Sequence, residues 1–166
     1  MEILKTIISW THIISASLSL VLGALILYYA KGTKIHKKRG KYYFYLMIIN
    51  NVTALMIYNA FGKWFFPHWL AVVTLIVIIP GFLVTKNKKY KHWLKIHITC
   101  LVLSYYLLIG GAINELFLRI DSLRPLIINN SPIVGIVHSV AILIFTGLII
   151  YFLRKYWKMK TGHNNV

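Results

Sequence analysis

The sequence predicts an all-α fold: a polytopic transmembrane bundle of about five helices, with the amino terminus outside and the carboxyl terminus in the cytoplasm. Three observations predict it. The composition is 58% hydrophobic and only 13% charged, with a mean hydropathy of +0.69, so charged surface is too scarce to disperse a water-soluble domain. Five apolar runs reach or approach the ~20 residues that a helix needs to cross about 30 Å of hydrocarbon. The lysines and arginines are sorted almost wholly to one flank of those runs.

The runs cover residues 7–30, 42–60, 66–85, 96–117 and 132–153 of a single 166-residue domain. Each is expected to be helical, because lipid offers no partner to an open backbone N–H or C=O. The third holds Pro80-Gly81, which predicts a kink or early fraying near its end. The first run is too long for the h-region of a cleaved signal peptide and shows no small-x-small site, so it is expected to remain as a helix.

Orientation follows from the charges. The first connector carries Lys31, Lys34, Lys37, Lys38, Arg39 and Lys41; the third carries Lys86, Lys88, Lys89, Lys91 and Lys95. The tail adds Arg154, Lys155, Lys158 and Lys160. Only Lys5, Lys63, Arg119 and Arg124 fall on the opposite side of a five-span arrangement, together with all the acids, Glu2, Glu115 and Asp121. The positive-inside rule places the basic connectors in the cytoplasm, and four or six spans would spoil the sorting. Trp10, Trp64, Trp69, Trp93 and Trp157 near the run ends suit the headgroup region. A multi-pass protein of the cell membrane follows, with a bacterial inner membrane expected.

The net charge of +16 does not indicate nucleic acid, because the cations sit in short clusters between apolar runs and present no basic face to a duplex. Their simplest partners are the bilayer itself and its anionic lipid headgroups. The lone Cys100 excludes an internal disulfide and any thiolate cluster. The connector 119–131 places Leu123, Leu126, Ile127 and Ile128 where they could lie along the outer interface.

Polar residues at membrane depth are costly, and their positions carry the functional argument. On the first helix His12, Ala16, Ser19 and Gly23 share a face; on the second, Tyr43, Met47, Asn51, Ala54 and Tyr58 do, with Asn50 beside them. The fourth aligns His97, Cys100, Ser104, Gly111 and Glu115, with Tyr105 next to Ser104, and the fifth contributes Gly135, His138 and Ser139. Ser19, Asn50, Asn51, Ser104 and Tyr105 read most simply as a packing and hydrogen-bonding seam.

His12, His138 and Glu115 fall in the outer half, the two histidines at similar depth. Neutral imidazoles there could ligate a b-type haem, bind a transition metal, or pass protons with Glu115. Equally, they could be hydrogen-bonded structural histidines, and Glu115 could be salt-paired with Arg119 one turn on. Gly-rich phosphate loops, H-E-x-x-H, CxxC and G-x-S-x-G are absent, and three acids cannot form the paired clusters of a membrane prenyl transferase. These absences weigh against an enzyme. Three readings stay open: a carrier of a redox cofactor or lipophilic ligand, an accessory subunit of a larger membrane complex, and a proton-coupled transporter, the last calling for a homo-dimer.

Lys31-Gly32, His36-Lys37-Lys38-Arg39-Gly40, Tyr43 and Met47 together resemble the His-x-x-x-Gly-x-x-Tyr-x-x-x-Met signature of an uncharacterised family of predicted bacterial membrane proteins, domain of unknown function family twenty-three-oh-six. His12 and Gly23 are similar to that family's opening. His97, Ser104-Tyr105, Ala112, Glu115 and Arg119 are similar to its later positions, although Leu101 stands where a methionine is expected. The resemblance covers about 7–119. It implies a compact multi-span protein and groups His12, His36, His97 and Glu115 as positions to test.

Overall fold

A computed structural model describes residues 2–57, 66–86, 88 and 90–162. All regular structure among them is helical: α1 (Glu2–Tyr28), α2 (Lys34–Met56), α3 (Phe66–Leu83), α4 (Trp93–Arg119), α5 (Arg124–Ile128) and α6 (Pro132–Gly162). Tyr58, Lys63, Trp64 and Lys89 lie outside the described residues. By length and composition α1, α4 and α6 (to Tyr156) are able to cross a bilayer. The 18-residue α3 would span only about 27 Å. The first two turns of α2 are rich in lysine, which leaves a shorter apolar stretch.

Helix ends depart from the sequence reading for identifiable reasons. α2 begins eight residues before the expected 42 because Thr33 caps it: the Thr33 hydroxyl accepts a hydrogen bond from the His36 N–H at 3.0 Å. Lysine and arginine are good helix formers, so the basic connector simply continues the helix. α3 runs through Pro80 and stops three residues later. Inside the long connector, Pro125 opens the short α5, and Asn130, in the left-handed region at φ 51°, ends it.

By contacts the chain divides into two compact units, Met1–Ile79 and Pro80–Val166. In the first, α1 and α2 pack against each other as an antiparallel hairpin. The turn uses Gly32 at φ +80°, a conformation that side chains with a Cβ rarely adopt. Lys31 closes the end of α1, its ammonium donating to the carbonyls of Leu27 and Tyr29, both at 2.7 Å. In the second unit α4 packs on α6, with α5 touching both.

Beside an apolar core that includes Met47, Ile78, Val102 and Phe145, polar side chains are buried and large apolar ones exposed. Buried positions include Ser15, Ser19, Asn50, Asn51, Thr53, Thr74 and Ser104, whereas Trp10, Trp69, Ile76 and Leu143 are each more than 60% exposed. Apolar surface turned outward and polar groups turned inward is the arrangement that lipid favours and water opposes.

Candidate functional site

Within the first unit, α1 buries Ser15, Ser19 and Gly23 against an α2 face made of Tyr43, Met47, Asn50, Asn51 and Thr53. The spacing of four on each helix stacks these residues along one line, and small groups on α1 let the helices approach. The seam is mostly satisfied locally. Asn51 Nδ2 donates to the Met47 carbonyl at 2.7 Å, Ser15 Oγ to the His12 carbonyl at 3.0 Å, and Thr53 Oγ1 lies 2.8 Å from the Ile49 carbonyl.

His12 ties the two helices together. Its Nδ1 lies 3.0 Å from the Asn50 carbonyl and 3.3 Å from Thr53 Oγ1. A carbonyl oxygen only accepts, so Nδ1 carries the proton and Nε2 is left with its lone pair. No group among the described residues occupies that lone pair. Two further polar atoms of the same seam are buried without a hydrogen-bond partner, Ser19 Oγ and Asn50 Oδ1.

In the second unit His138 follows the same rule with the ring reversed. Its Nε2 donates to the Asn114 side-chain carbonyl at 2.9 Å, which leaves Nδ1 as the acceptor. The ring lies beside Gly110, one turn before Asn114, where an added Cβ would meet the imidazole in ordinary van der Waals contact at 3.9 Å. Beyond it, Tyr105 and Tyr106 of α4 meet Phe145 of α6 with ring centroids 5.9 and 5.7 Å apart. Ser104 and Tyr105 are buried, and Ser104 Oγ donates to the Leu101 carbonyl at 2.9 Å.

His97 lies elsewhere, near the start of α4, where Nδ1 donates to the Gly81 carbonyl at 2.9 Å. Gly81 is required there, because a Cβ would come within 2.5 Å of Cys100 Cβ. Glu115, one residue from Asn114, points away and pairs with Arg119 at 2.8 Å. His36 stands in the first turn of α2, beside Tyr29 and Arg39 in a cleft.

The expected outer-half group therefore divides: His12 belongs to the first unit, His138 and Glu115 to the second. Asn114, Asn50 and Thr53 act as histidine partners that the sequence reading did not assign. An asparagine at membrane depth was the available signal for Asn114. Gly135 and Ser139, read as packing residues, are exposed, because the α4-facing side of α6 passes through His138, Ala141 and Phe145 instead. His68 is only 3% exposed and shares one α3 face with the buried Ala71, Thr74 and Ile78. No three of His, Cys, Asp and Glu gather into a metal-binding group among the described residues.

Comparison with known proteins agrees with the membrane reading. No curated protein and no solved structure matches the chain. A family model described as predicted membrane protein (DUF2306) matches residues 9–154, from just before His12 to the end of the apolar part of α6. With apolar helices able to span a bilayer, polar groups turned inward and a family match along nearly its whole length, the chain belongs to the DUF2306 family of predicted membrane proteins.

Proposed function

We propose that this is a multi-pass membrane protein, crossing five times with its amino terminus outside, that holds a haem or similar lipophilic redox ligand among its helices, with His12 of the first unit and His138 of the second each a candidate ligand in its own unit. One observation carries the reading. Each histidine donates one ring N–H to a carbonyl oxygen, at 3.0 Å for His12 and 2.9 Å for His138. This fixes the ring and orients the opposite nitrogen. That is how protein ligands of metals are held, the second bond setting tautomer and raising basicity. A bare metal ion fits less well, since no group of three protein donors gathers among the described residues. A haem brings four nitrogens of its own and asks the protein for one or two imidazoles. Glu115, tied to Arg119, supports a charge-paired role more than a proton-carrying one.

The test is an optical spectrum of the protein purified in mild detergent and after addition of hemin. A Soret band is expected, weakened or lost in His12→Ala or in His138→Ala and unaffected by Glu115→Gln. Protein that stays colourless through hemin titration while correctly folded would end this reading.

A second reading, an accessory subunit of a larger complex, is favoured by a different observation. Gly135, Ser139, Leu143 and Gly147 recur every four residues on an exposed face of α6, the small-residue pattern that lets membrane helices meet closely. It predicts that cysteine placed at Ser139 cross-links to a second chain in native membranes. A monodisperse, uncross-linked monomer counts against it.

A further inference from the structure

We propose that the cleft where α1 meets α2 is a binding site for one anionic phospholipid of the cytoplasmic leaflet. The cleft encloses about 280 Å³. One wall is apolar, formed by Leu25 and Ile26 of α1 and Ile35 of α2, and the other presents His36 and Arg39. Arg39 is held in place there, its guanidinium 4.7 Å above the Tyr29 ring. Lys34, Lys37 and Lys38 stand exposed around it on the first turns of α2.

The charge around the cleft is unbalanced within this segment of the chain. Residues 31–41 hold six lysines and arginines and no acid. The chain has three acidic side chains in all, and each is engaged elsewhere. Glu2 pairs with Lys5 at 3.4 Å, Glu115 with Arg119 at 2.8 Å and Asp121 with Arg124 at 3.0 Å. No carboxylate side chain of this protein is left to neutralise the cluster. The same cations stand at the amino end of α2, where the helix dipole adds to their mutual repulsion.

The apolar wall chooses the occupant. A free phosphate would use the cationic side and leave Leu25, Ile26 and Ile35 wet. A phospholipid uses both, with its phosphate at Arg39 and His36 and the upper part of an acyl chain along the apolar wall. The cleft also lies where the apolar α1 ends at Tyr28, so a membrane-crossing α1 would hold it near the leaflet surface. Each cation near an anionic membrane surface contributes about fivefold in affinity.

Thermal unfolding of delipidated protein in neutral detergent, with added dioleoyl-phosphatidylglycerol, dioleoyl-phosphatidylcholine or inorganic phosphate, tests the assignment. Phosphatidylglycerol is expected to raise the midpoint more than phosphatidylcholine. Its half-saturating concentration should rise about fivefold in Arg39→Gln and again in Lys37→Gln, which does not disturb the Tyr29 contact. Lys155→Gln, in the carboxyl-terminal cluster, should leave the response unchanged. Equal stabilisation by the two lipids, or an unaltered response in both cleft variants, overturns the proposal. The same shift from inorganic phosphate overturns it as well, and makes the cleft a site for a free anion.

Discussion

Replacing Gly81 with alanine tests how closely α3 and α4 meet. The new Cβ would lie 2.5 Å from Cys100 Cβ and 2.8 Å from Leu101 Cδ2. The leucine can turn away, but a Cβ is fixed to its backbone, so the helices must separate by about 1 Å to restore normal carbon contact. The Gly81 carbonyl accepts from His97 at 2.9 Å, and a shift of that size takes the bond beyond useful length. Overpacking costs about 1–3 kcal/mol, and an interhelical hydrogen bond in lipid contributes about 0.6–2 kcal/mol. The helix-propensity gain of alanine offsets less than about 1 kcal/mol near a helix end. The net loss is therefore about 1–3 kcal/mol, measured by reversible unfolding in mixed micelles. Cys100→Ala should not rescue, because alanine keeps the offending Cβ, whereas Cys100→Gly should recover part of the loss. Gly81→Ala at or above wild-type stability would refute the close approach.

Other variants probe the remaining contacts. In a double-mutant cycle, His138→Phe and Asn114→Leu should show a coupling of about 0.6–2 kcal/mol, and strict additivity would mean the bond is not made. Met47→Ala, at a fully buried position, should cost about 2–4 kcal/mol in the same assay. Most of that arises from the void, because lipid already solvates apolar side chains. Thr53→Val leaves the Asn50 carbonyl as the partner of His12, so it should cost less than His12→Ala, and the reverse order contradicts the assigned bond. Glu115→Gln should change stability by less than about 0.5 kcal/mol, since its pair with Arg119 is exposed.

The helical architecture was legible because a bilayer allows so few alternatives: a long apolar run must satisfy its backbone internally, and only a helix does so within one segment. The seam was legible for a related reason. Ser19, Asn50, Asn51, Ser104 and Tyr105 are polar or small at helical spacing, and lipid drives such groups inward. What each histidine would touch was not legible. His97 finds a backbone carbonyl on α3 and His138 an asparagine on α4, and both depend on which helices adjoin and with what rotation. Spacing along one helix does not contain that. Gly135 and Ser139 illustrate it directly, being within three residues of His138 in sequence yet turned from α4. The early start of α2 had a visible sign in Thr33 ahead of a run of helix-forming lysines, but hydropathy alone directs attention to the apolar residues that follow.

The tight turn at Gly32 bears on how the protein is made. The inward face of α2 carries Asn50, Asn51 and Thr53, and its leading turns are cationic, so it is a poor candidate to leave the translocon by itself. α1 emerges first, is apolar enough to partition alone, and waits one short turn away with His12 ready to join the Asn50 carbonyl. The short turn and the His12 contact keep the polar face of α2 covered by α1, and a longer, looser turn would leave that face open for longer before the two helices meet.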